Sequence, residues 1–267
     1  MSSLPIPTVL TKEQSLQNEI VSLRMQLQKE REAKIEAETA LLMVDMAQEN
    51  GDPPTSRMAM ITGLAKLADS RDDDTGTHLA RIRQYTSILA SAIAGRHPDK
   101  LPLGEVSIIS AASILHDIGK VGISDEVLLH PNKLSKSQFE TMKKHAPIGA
   151  DILLALSEQL GRDPWIDTAI QIALGHHERW DGSGYPFGLI GEGINLPARI
   201  VAVADVYDAL TSERVYKKAI SHEKARAIIT HEKGKHFDPM VVDAFLSIAD
   251  ELKAMSEGPQ LSPLRSY

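Results

Sequence analysis

The sequence contains no cysteine and few aromatic residues, and both absences restrict its chemistry. Among its 267 residues there is no Cys, and aromatic residues make up 4%. Disulfides, thiolate zinc sites, iron–sulfur clusters and cysteine nucleophiles are therefore excluded. Any bound metal must be held by nitrogen and oxygen ligands.

Long apolar segments are also missing. No window reaches the roughly 18 to 20 uncharged apolar residues of a membrane-spanning helix, and the N-terminus lacks a basic region followed by an apolar core. The sequence therefore predicts a cytoplasmic protein without a membrane span. A formal net charge of −7 gives no general attraction to nucleic acid polymers. A phosphate substrate would need a local centre, such as bound metal ions, to attract it.

Histidines, by contrast, occur in an organised arrangement. The segment 114–120 places His116 beside Asp117 on an otherwise apolar stretch. An imidazole next to a carboxylate forms a compact metal-binding corner. His176 and His177 form a second pair, just before a glycine-rich turn. Together these two segments predict a metal-dependent hydrolase.

The N-terminal part of the chain predicts a long helix. Residues 12–48 contain no Gly or Pro and are rich in Gln, Glu, Lys, Arg, Leu and Ala. Four apolar residues would share one helix face: Leu16, Ile20, Leu23 and Leu27. Two interpretations remain open, a solvated helix packed on its own domain and a helix that dimerises or transmits a signal. A Gly- and Pro-containing breaker at 50–56 ends this part.

The predicted organisation has three parts. An N-terminal helical or coiled-coil signalling segment covers 1–50, the catalytic domain covers 51–257, and a flexible tail covers 258–267. Beyond the breaker, apolar residues recur at intervals of three and four, without an alternating strand pattern of useful length. The predicted fold class is all-α, a helical bundle preceded by a long N-terminal helix. The predicted helices are 58–70, 78–94, 105–115, 136–145, 148–157, 167–174, 196–212, 222–230 and 239–255.

Further candidate ligands lie near helix ends. His78 follows an acidic run in which Asp74 lies four residues before it. His145 is predicted to end the helix 136–145. Asp205 follows an apolar helical stretch, where an unpaired carboxylate would be costly. A bound metal would explain why these residues are there.

Each candidate also has a simpler explanation when taken alone. Asp74 and its acidic neighbours could cap the following helix. Asp205 could form a buried ion pair with Arg199 or Arg214. A single His on an apolar helix is more often a hydrogen-bonded core residue, which is the interpretation for His97, His130, His222, His231 and His236. These explanations do not account for the recurrence at several helix ends of one chain.

From about Arg71 to Leu246 the chain resembles the HD-GYP family of bacterial cyclic di-GMP phosphodiesterases, a branch of the HD superfamily of metal-dependent phosphohydrolases. Several ordered motifs at family-like separations are more specific than a His-Asp pair alone. The motifs that carry the resemblance are DTGTH at 74–78, HDIGK at 116–120, HHERWDGSGYP at 176–186, DVYDALTS at 205–212 and GKHFDP at 234–239.

The resemblance implies two bound metal ions, typically iron or manganese, with Asp117 bridging them. The implied ligands of the first ion are His78, His116, Asp117 and Asp205. The implied ligands of the second ion are Asp117, His145, His176 and His177. Ligation by imidazole and carboxylate without sulfur suits both metals.

Asp74 is a departure from the family pattern. Family members with a third metal carry Glu at this position, and the side chain of Asp74 is one methylene shorter. The departure argues against a third ion, for which Asp74 is the candidate ligand. It also argues against complete hydrolysis to GMP, if that step needs the third ion.

The resemblance further implies roles in substrate binding. Lys120 is expected to contact the scissile phosphate and, with Asp117, to be catalytic. Arg214 and Lys217 occupy positions whose counterparts help to bind substrate phosphate. The Gly-Tyr-Pro loop around Tyr185 is expected to shape the substrate pocket and to contact diguanylate cyclase (GGDEF) partners.

The function implied is hydrolysis of cyclic di-GMP to linear pGpG, with onward cleavage to GMP left open, which would lower this second messenger in bacterial signalling. Two alternatives stay open. One is a catalytically weak or inactive module that binds cyclic di-GMP or a protein partner. The other is an HD phosphohydrolase that acts on another cyclic or linear nucleotide. A homodimer through the N-terminal helix is also expected.

Overall fold

The computed structural model describes residues 62–69, 71, 77–161, 163–213 and 218–257. The predicted signalling segment at 1–50, with its dimerisation seam, and the tail at 258–267 lie outside these residues and stay predictions. Among the helices that are described, none combines the length and the apolar character that crossing a membrane requires.

The described residues are mostly helical, which confirms the predicted all-α class. Within them, β-structure is confined to two isolated bridges, Asp181 with Ile190 and Lys233 with Phe237. Short 3-10 turns occur at Leu103–Glu105, Ser113–Leu115, Ile118–Gly122 and Gly191–Gly193. The helices are α1 (62–69), α2 (His78–Arg96), α3 (Val106–Ala112), α4 (Asp125–Leu128), α5 (Lys136–Met142), α6 (His145–Leu160), α7 (Pro164–Gly175), α8 (Leu196–Thr211), α9 (His222–His231), α10 (Pro239–Ser247) and α11 (Ala249–Glu257).

The main core forms around α8, because its apolar residues recur at intervals of three and four and face α2, α9 and α10. Those buried residues are Ile200, Val203, Ala204 and Tyr207. The ring of Tyr207 contacts Tyr85 and Phe245 edge-on, with centroids 5.1 Å and 5.4 Å away. Its hydroxyl lies 2.8 Å from Nδ1 of His222, so this buried histidine is hydrogen-bonded within the core.

One predicted helix boundary is wrong in a way that matters for the site. The helix predicted at 136–145 ends at Met142, and His145 begins α6 instead of ending α5. Pro147 explains the difference. A proline is accepted in the first turn of a helix, whereas in the interior it lacks the N–H donor and clashes with the preceding turn. The chain therefore turns at residues 143–144 and restarts.

Two other predicted helices are shorter than expected. The helix predicted at 105–115 is α3 followed by a 3-10 turn, in which the Ser113 hydroxyl donates to the Ser110 carbonyl at 2.8 Å. Serine side chains that bond to the backbone compete with regular α-helical hydrogen bonding. The helix predicted at 239–255 is divided at Ile248 into α10 and α11.

A close backbone contact joins the turn Ile118–Gly122 to α6. A Cβ atom on Gly119 would lie 1.9 Å from the His145 carbonyl oxygen and 2.4 Å from the Gly149 nitrogen. Because those atoms belong to the backbone, only glycine fits at this position. The contact sets the separation between the segment of Asp117 and the segment of His145.

We expect Gly119→Ala to push the turn and α6 apart. Overpacking of this kind costs about 1–3 kcal/mol, and it should also displace His145 from Asp117. Urea denaturation and metal content of the purified variant would measure both effects. Gly95→Ala is the matched control, because a Cβ there meets no atom within 4 Å. A Gly119→Ala protein as stable as the Gly95→Ala protein would contradict this account.

The loop between α9 and α10 packs against the loop that follows α7. The Trp180 N–H donates to the His236 carbonyl at 3.0 Å, and the His236 ring stacks on Phe237 with centroids 4.1 Å apart. Burial, together with the positive charge of Arg179, lowers the pKa of His236 to about 4. The folded protein therefore holds this imidazole neutral at pH values where the unfolded chain protonates it.

His236 should consequently make stability depend on pH. Its contribution is fully present above pH 6.5, the unperturbed pKa, and is lost as the pH falls towards 4, because only the unfolded state gains a proton. The free energy of unfolding should change by up to about 1.4 kcal/mol per pH unit from this one group. Denaturant titrations at several pH values in this range would give the free energy of unfolding as a function of pH. Its dependence on pH should be weaker for His236→Gln than for the wild type, and unchanged for His97→Gln, an exposed control. Equal dependence on pH in all three proteins would disprove the assignment.

Candidate metal centre

Asp117 lies where the histidine-bearing segments meet. Its Oδ1 atom is 3.2 Å from Nε2 of His145 and 3.5 Å from Nε2 of His176. Its Oδ2 atom is 3.3 Å from Nε2 of His116 and 2.9 Å from Nζ of Lys120. Three imidazoles and one ammonium group therefore surround a single, largely buried carboxylate.

The ligand atoms fall into two adjoining groups. Within each group, one nitrogen or oxygen atom per residue lies within 4.8 Å of the others. The first group consists of His78, His116 and Asp205. The second group consists of Asp117, His145, His176 and His177. The fold thus gathers all seven residues that the resemblance implied as ligands, from segments up to 127 positions apart in sequence.

Helix ends orient three of these imidazoles. Nδ1 of His116 lies 2.9 Å from the Ser113 carbonyl oxygen, and Nδ1 of His145 lies 2.7 Å from that of Met142. Nδ1 of His176 similarly lies 3.0 Å from the carbonyl oxygen of Ile172. A carbonyl only accepts, so each Nδ1 carries the proton and each Nε2 keeps a lone pair. A carbonyl oxygen has two lone pairs, so those of Ser113 and Ile172, which also accept the backbone N–H groups of His116 and His176, can still accept from the imidazole.

His78 is oriented by a carboxylate instead. Its Nδ1 atom lies 2.7 Å from Oδ2 of Asp208, a buried residue on α8. The guanidinium of Arg81 donates to both oxygens of Asp208. The sequence analysis quoted Asp208 within a motif but gave it no role. Its position three residues after Asp205, on the same helix face, was the available signal.

The buried polar atoms at the centre fit a divalent metal. Four of them lack a hydrogen-bond partner: Nε2 of His116, His145 and His176, and Oδ1 of Asp117. Buried polar groups are ordinarily satisfied, and buried lone pairs that converge without donors are typical of a cation-binding site. Imidazole nitrogen and carboxylate oxygen also suit iron, manganese and zinc. The nitrogen and oxygen donors present therefore fit a divalent metal ion.

The charge states of Asp117 and His177 favour metal binding. Burial opposes ionisation of Asp117, but Lys120 and His116 hold the pKa of this carboxyl well below its usual value. Burial lowers the pKa of His177 well below its usual value, which keeps the imidazole neutral. Burial and the charge of Asp117 raise the pKa of the Tyr185 phenol, so it stays a neutral hydroxyl. Metals bind the deprotonated carboxylate and the neutral imidazole, which are the forms that these shifts favour for Asp117 and His177.

Arg71 fastens the turn that follows Asp117, a role the sequence did not reveal. Its guanidinium donates to the carbonyl oxygens of Lys120 at 3.2 Å, Val121 at 2.7 Å and Ile123 at 3.1 Å. It also pairs with the Asp125 carboxylate at 2.6 Å. The Lys120 carbonyl also accepts from the Ile123 N–H at 3.1 Å, and all three carbonyls lie at the end of the 3-10 turn. Arg71 thereby fixes the backbone of Lys120.

Glu178 fixes the Gly-Tyr-Pro loop in the same manner. This buried carboxylate accepts hydrogen bonds from the N–H groups of Phe187 at 2.7 Å and Leu189 at 3.1 Å. Gly184 lies so close to the chain that a Cβ atom there would be 2.3 Å from the Arg179 nitrogen. The loop is therefore folded back onto its own start, beside the second ligand group.

Not every predicted site residue can be placed. Three lie outside the described residues: Asp74, Arg214 and Lys217. The simpler explanation considered for Asp205, an ion pair with Arg199, is wrong, because Arg199 pairs with Asp238, the N-cap residue of α10. Asp205 lies with His78 and His116 instead.

Comparison with known proteins agrees with this geometry. A protein-family model described as HD domain matches residues 16–241. A cyclic di-GMP phosphodiesterase of Vibrio cholerae is 46% identical over 204 residues, covering 76% of this chain and 42% of the relative. The 3′3′-cGAMP-specific phosphodiesterase 2 of the same organism is 37% identical over 214 residues, covering 80% and 38%. The chain thus spans less than half the length of these two relatives.

A solved structure shares the fold. The crystal structure of a cyclic GMP-AMP specific phosphodiesterase of V. cholerae, V-cGAP3, has a TM-score of 0.50 and 19% sequence identity, covering 74% of this chain and 50% of that chain. The chain is a helical domain in which a His-Asp pair lies where the ligand-bearing segments meet, and it belongs to the class of HD domains. This class implies the chemistry of a phosphohydrolase that depends on divalent metal. Within that class, the chain belongs to the HD-GYP family, as the resemblance predicted.

Asp208→Asn should weaken metal binding without removing a ligand. The amide cannot supply the anionic acceptor that orients His78, and loss of such an outer partner costs about 10–100-fold in metal affinity. Competition with a chelator, followed by metal analysis, would measure the change. Asp167→Asn, an exposed position on α7, is the matched control. Equal metal retention by both variants would exclude this role for Asp208.

Proposed function

We propose that this chain hydrolyses cyclic di-GMP to linear pGpG and so lowers this second messenger in bacterial signalling. The observation that carries the proposal is the convergence of the two ligand groups on Asp117, with the ammonium group of Lys120 only 2.9 Å from that carboxylate. The identity to relatives named for cyclic di-GMP hydrolysis supports the choice of substrate.

The metal site proposed is binuclear. Asp117 would bridge two ions, with the first group completing one site and the second group completing the other. Bound divalent ions would supply a strong nucleophile from water at neutral pH and neutralise charge that develops on phosphoryl oxygens. Iron or manganese is proposed, because imidazole and carboxylate ligands without sulfur suit both. A third ion at Asp74 is not part of the proposal.

The chain's own residues would position the phosphodiester. Lys120 lies within the site, so its ammonium group can hold a phosphoryl oxygen and stabilise negative charge in the transition state. Tyr185 would border the pocket as a neutral hydroxyl. Arg214 and Lys217 are proposed to bind phosphate from the segment between α8 and α9. No covalent enzyme intermediate is required.

The Gly-Tyr-Pro loop is the proposed contact with a diguanylate cyclase partner. Phe187 and Ile190 follow Tyr185 on this loop and are 64% and 70% exposed. Exposed apolar side chains beside a site support a protein contact there. Dimerisation through the N-terminal helix and a cytoplasmic location complete the proposal.

The first test is anaerobic purification with metal analysis, followed by chromatography of the products from cyclic di-GMP. We expect about two metal ions per chain and accumulation of pGpG. His116→Ala and Asp117→Ala should abolish turnover and lower metal content, because each removes a ligand. His130→Ala changes a histidine outside both ligand groups and should leave turnover and metal content unchanged.

Other outcomes would select the alternatives. Cyclic di-GMP that binds without turnover would indicate an inactive binding module. Faster hydrolysis of 3′3′-cGAMP than of cyclic di-GMP would indicate the other substrate, which is the specificity named for the relative at 37% identity. Turnover that persists in His116→Ala and Asp117→Ala would disprove the proposed centre itself.

A further inference from the structure

Three side chains form a cluster beside the second ligand group: Phe139, Lys143 and Tyr185. The rings of Phe139 and Tyr185 meet edge-to-face, with centroids 6.1 Å apart. The ammonium group of Lys143 lies 5.1 Å from the first centroid and 5.5 Å from the second. We call this arrangement the aromatic corner.

The aromatic corner is continuous with the candidate metal centre. The Tyr185 ring lies 4.8 Å from the ring of His177 and 6.4 Å from that of His145, measured between centroids. From there the rings lead outward to Phe139, which is 44% exposed. A nucleotide whose phosphate lies at the metal centre would thus have an open aromatic surface beside it.

Core packing does not account for Phe139. The helix that carries it, α5, has no buried residue among the seven it contains. A capping box formed by Ser135 and Gln138 holds the start of this helix. The helix is therefore well defined but contributes little to the interior, and its one aromatic side chain points to the metal centre side.

A hydrogen-bond donor and an acceptor lie next to each other beside the aromatic corner. The Lys143 ammonium group lies 2.8 Å from the Glu140 carboxylate, one helical turn away. Lysine offers only hydrogen-bond donors and an ionised carboxylate offers only acceptors. The pair therefore places a donor and an acceptor in adjacent positions next to the Phe139 ring.

We propose that the aromatic corner, with Glu140, is a guanine-binding subsite of the candidate active site. Guanine carries the O6 acceptor next to the N1–H donor, which matches Lys143 and Glu140 in order. Adenine carries the N6 amino donor next to the N1 acceptor. Lys143 would then face a donor and Glu140 would face an acceptor, so neither hydrogen bond could form. This inference rests on the proposed function for its substrate class and adds the residues that select the base.

The two kinds of contact predict different mutant behaviour. Stacking on an aromatic ring tolerates any base, so loss of the Phe139 ring should weaken the binding of guanine and adenine nucleotides alike. Loss of the Lys143 donor should weaken guanine nucleotides alone. A general effect of positive charge would instead affect both nucleotides through their phosphates.

The test measures dissociation constants of GMP and AMP by equilibrium dialysis with the metal-loaded chain of 267 residues. Both nucleotides carry the same phosphate, so their difference reports the base. We expect GMP to bind about tenfold more tightly than AMP, the discrimination of one good base contact. Lys143→Met should remove this preference, and Phe139→Ala should weaken both nucleotides while keeping it.

Lys144→Met is the matched control, because it removes the same charge from the next, exposed position. It should retain the preference for GMP. The inference would be overturned by equal affinity of the wild type for GMP and AMP, by binding of neither, or by a preference that survives in Lys143→Met. Equal loss of the preference in Lys144→Met would also overturn it.

Turnover of cyclic di-GMP, assayed in parallel, separates this inference from the proposed function. A wild type that hydrolyses cyclic di-GMP but binds GMP and AMP equally disproves the subsite alone. A wild type that prefers GMP through Lys143 but hydrolyses no cyclic di-GMP supports the subsite and disproves the phosphodiesterase. In an active enzyme, Lys143→Met should raise KM for cyclic di-GMP by about the same tenfold.

Discussion

The arrangement of this domain depends on a buried carboxylate that needs positive charge around it. Asp117 has imidazole nitrogens on both of its oxygen atoms, and burying such a charge without compensation would be costly. Lys120 supplies one positive charge, and the unpaired Nε2 atoms of the surrounding histidines can bind cations. Metal binding should therefore contribute directly to the stability of the folded domain.

The outer contacts make this centre rigid. Carbonyl oxygens at helix and turn ends hold the histidines in one tautomer, and Asp208 with Arg81 does the same for His78. Arg71 fastens the turn after Asp117, and Gly119 lets that turn approach α6. Gly119 allows a close backbone approach, Arg71 binds the carbonyls at the end of the turn, and the remaining contacts orient the ligand imidazoles.

Substrate recognition would be added from elements that contribute little to the core. The short helix α5 and the Gly-Tyr-Pro loop both border the second ligand group, and both expose aromatic side chains. Such peripheral elements can change their surface without disturbing the centre. This division fits a family whose relatives of similar identity are named for different cyclic dinucleotides.

Sequence alone determined the helical class, the family and the set of candidate ligands, because helical periodicity and residue motifs are local properties of the chain. It did not determine that His145 begins a helix, nor that Arg199 pairs with Asp238 rather than Asp205. The partners of His78 and the clamp by Arg71 also required the tertiary structure. Those contacts join residues 39 to 130 positions apart, and only the packing of helices decides which distant side chains meet.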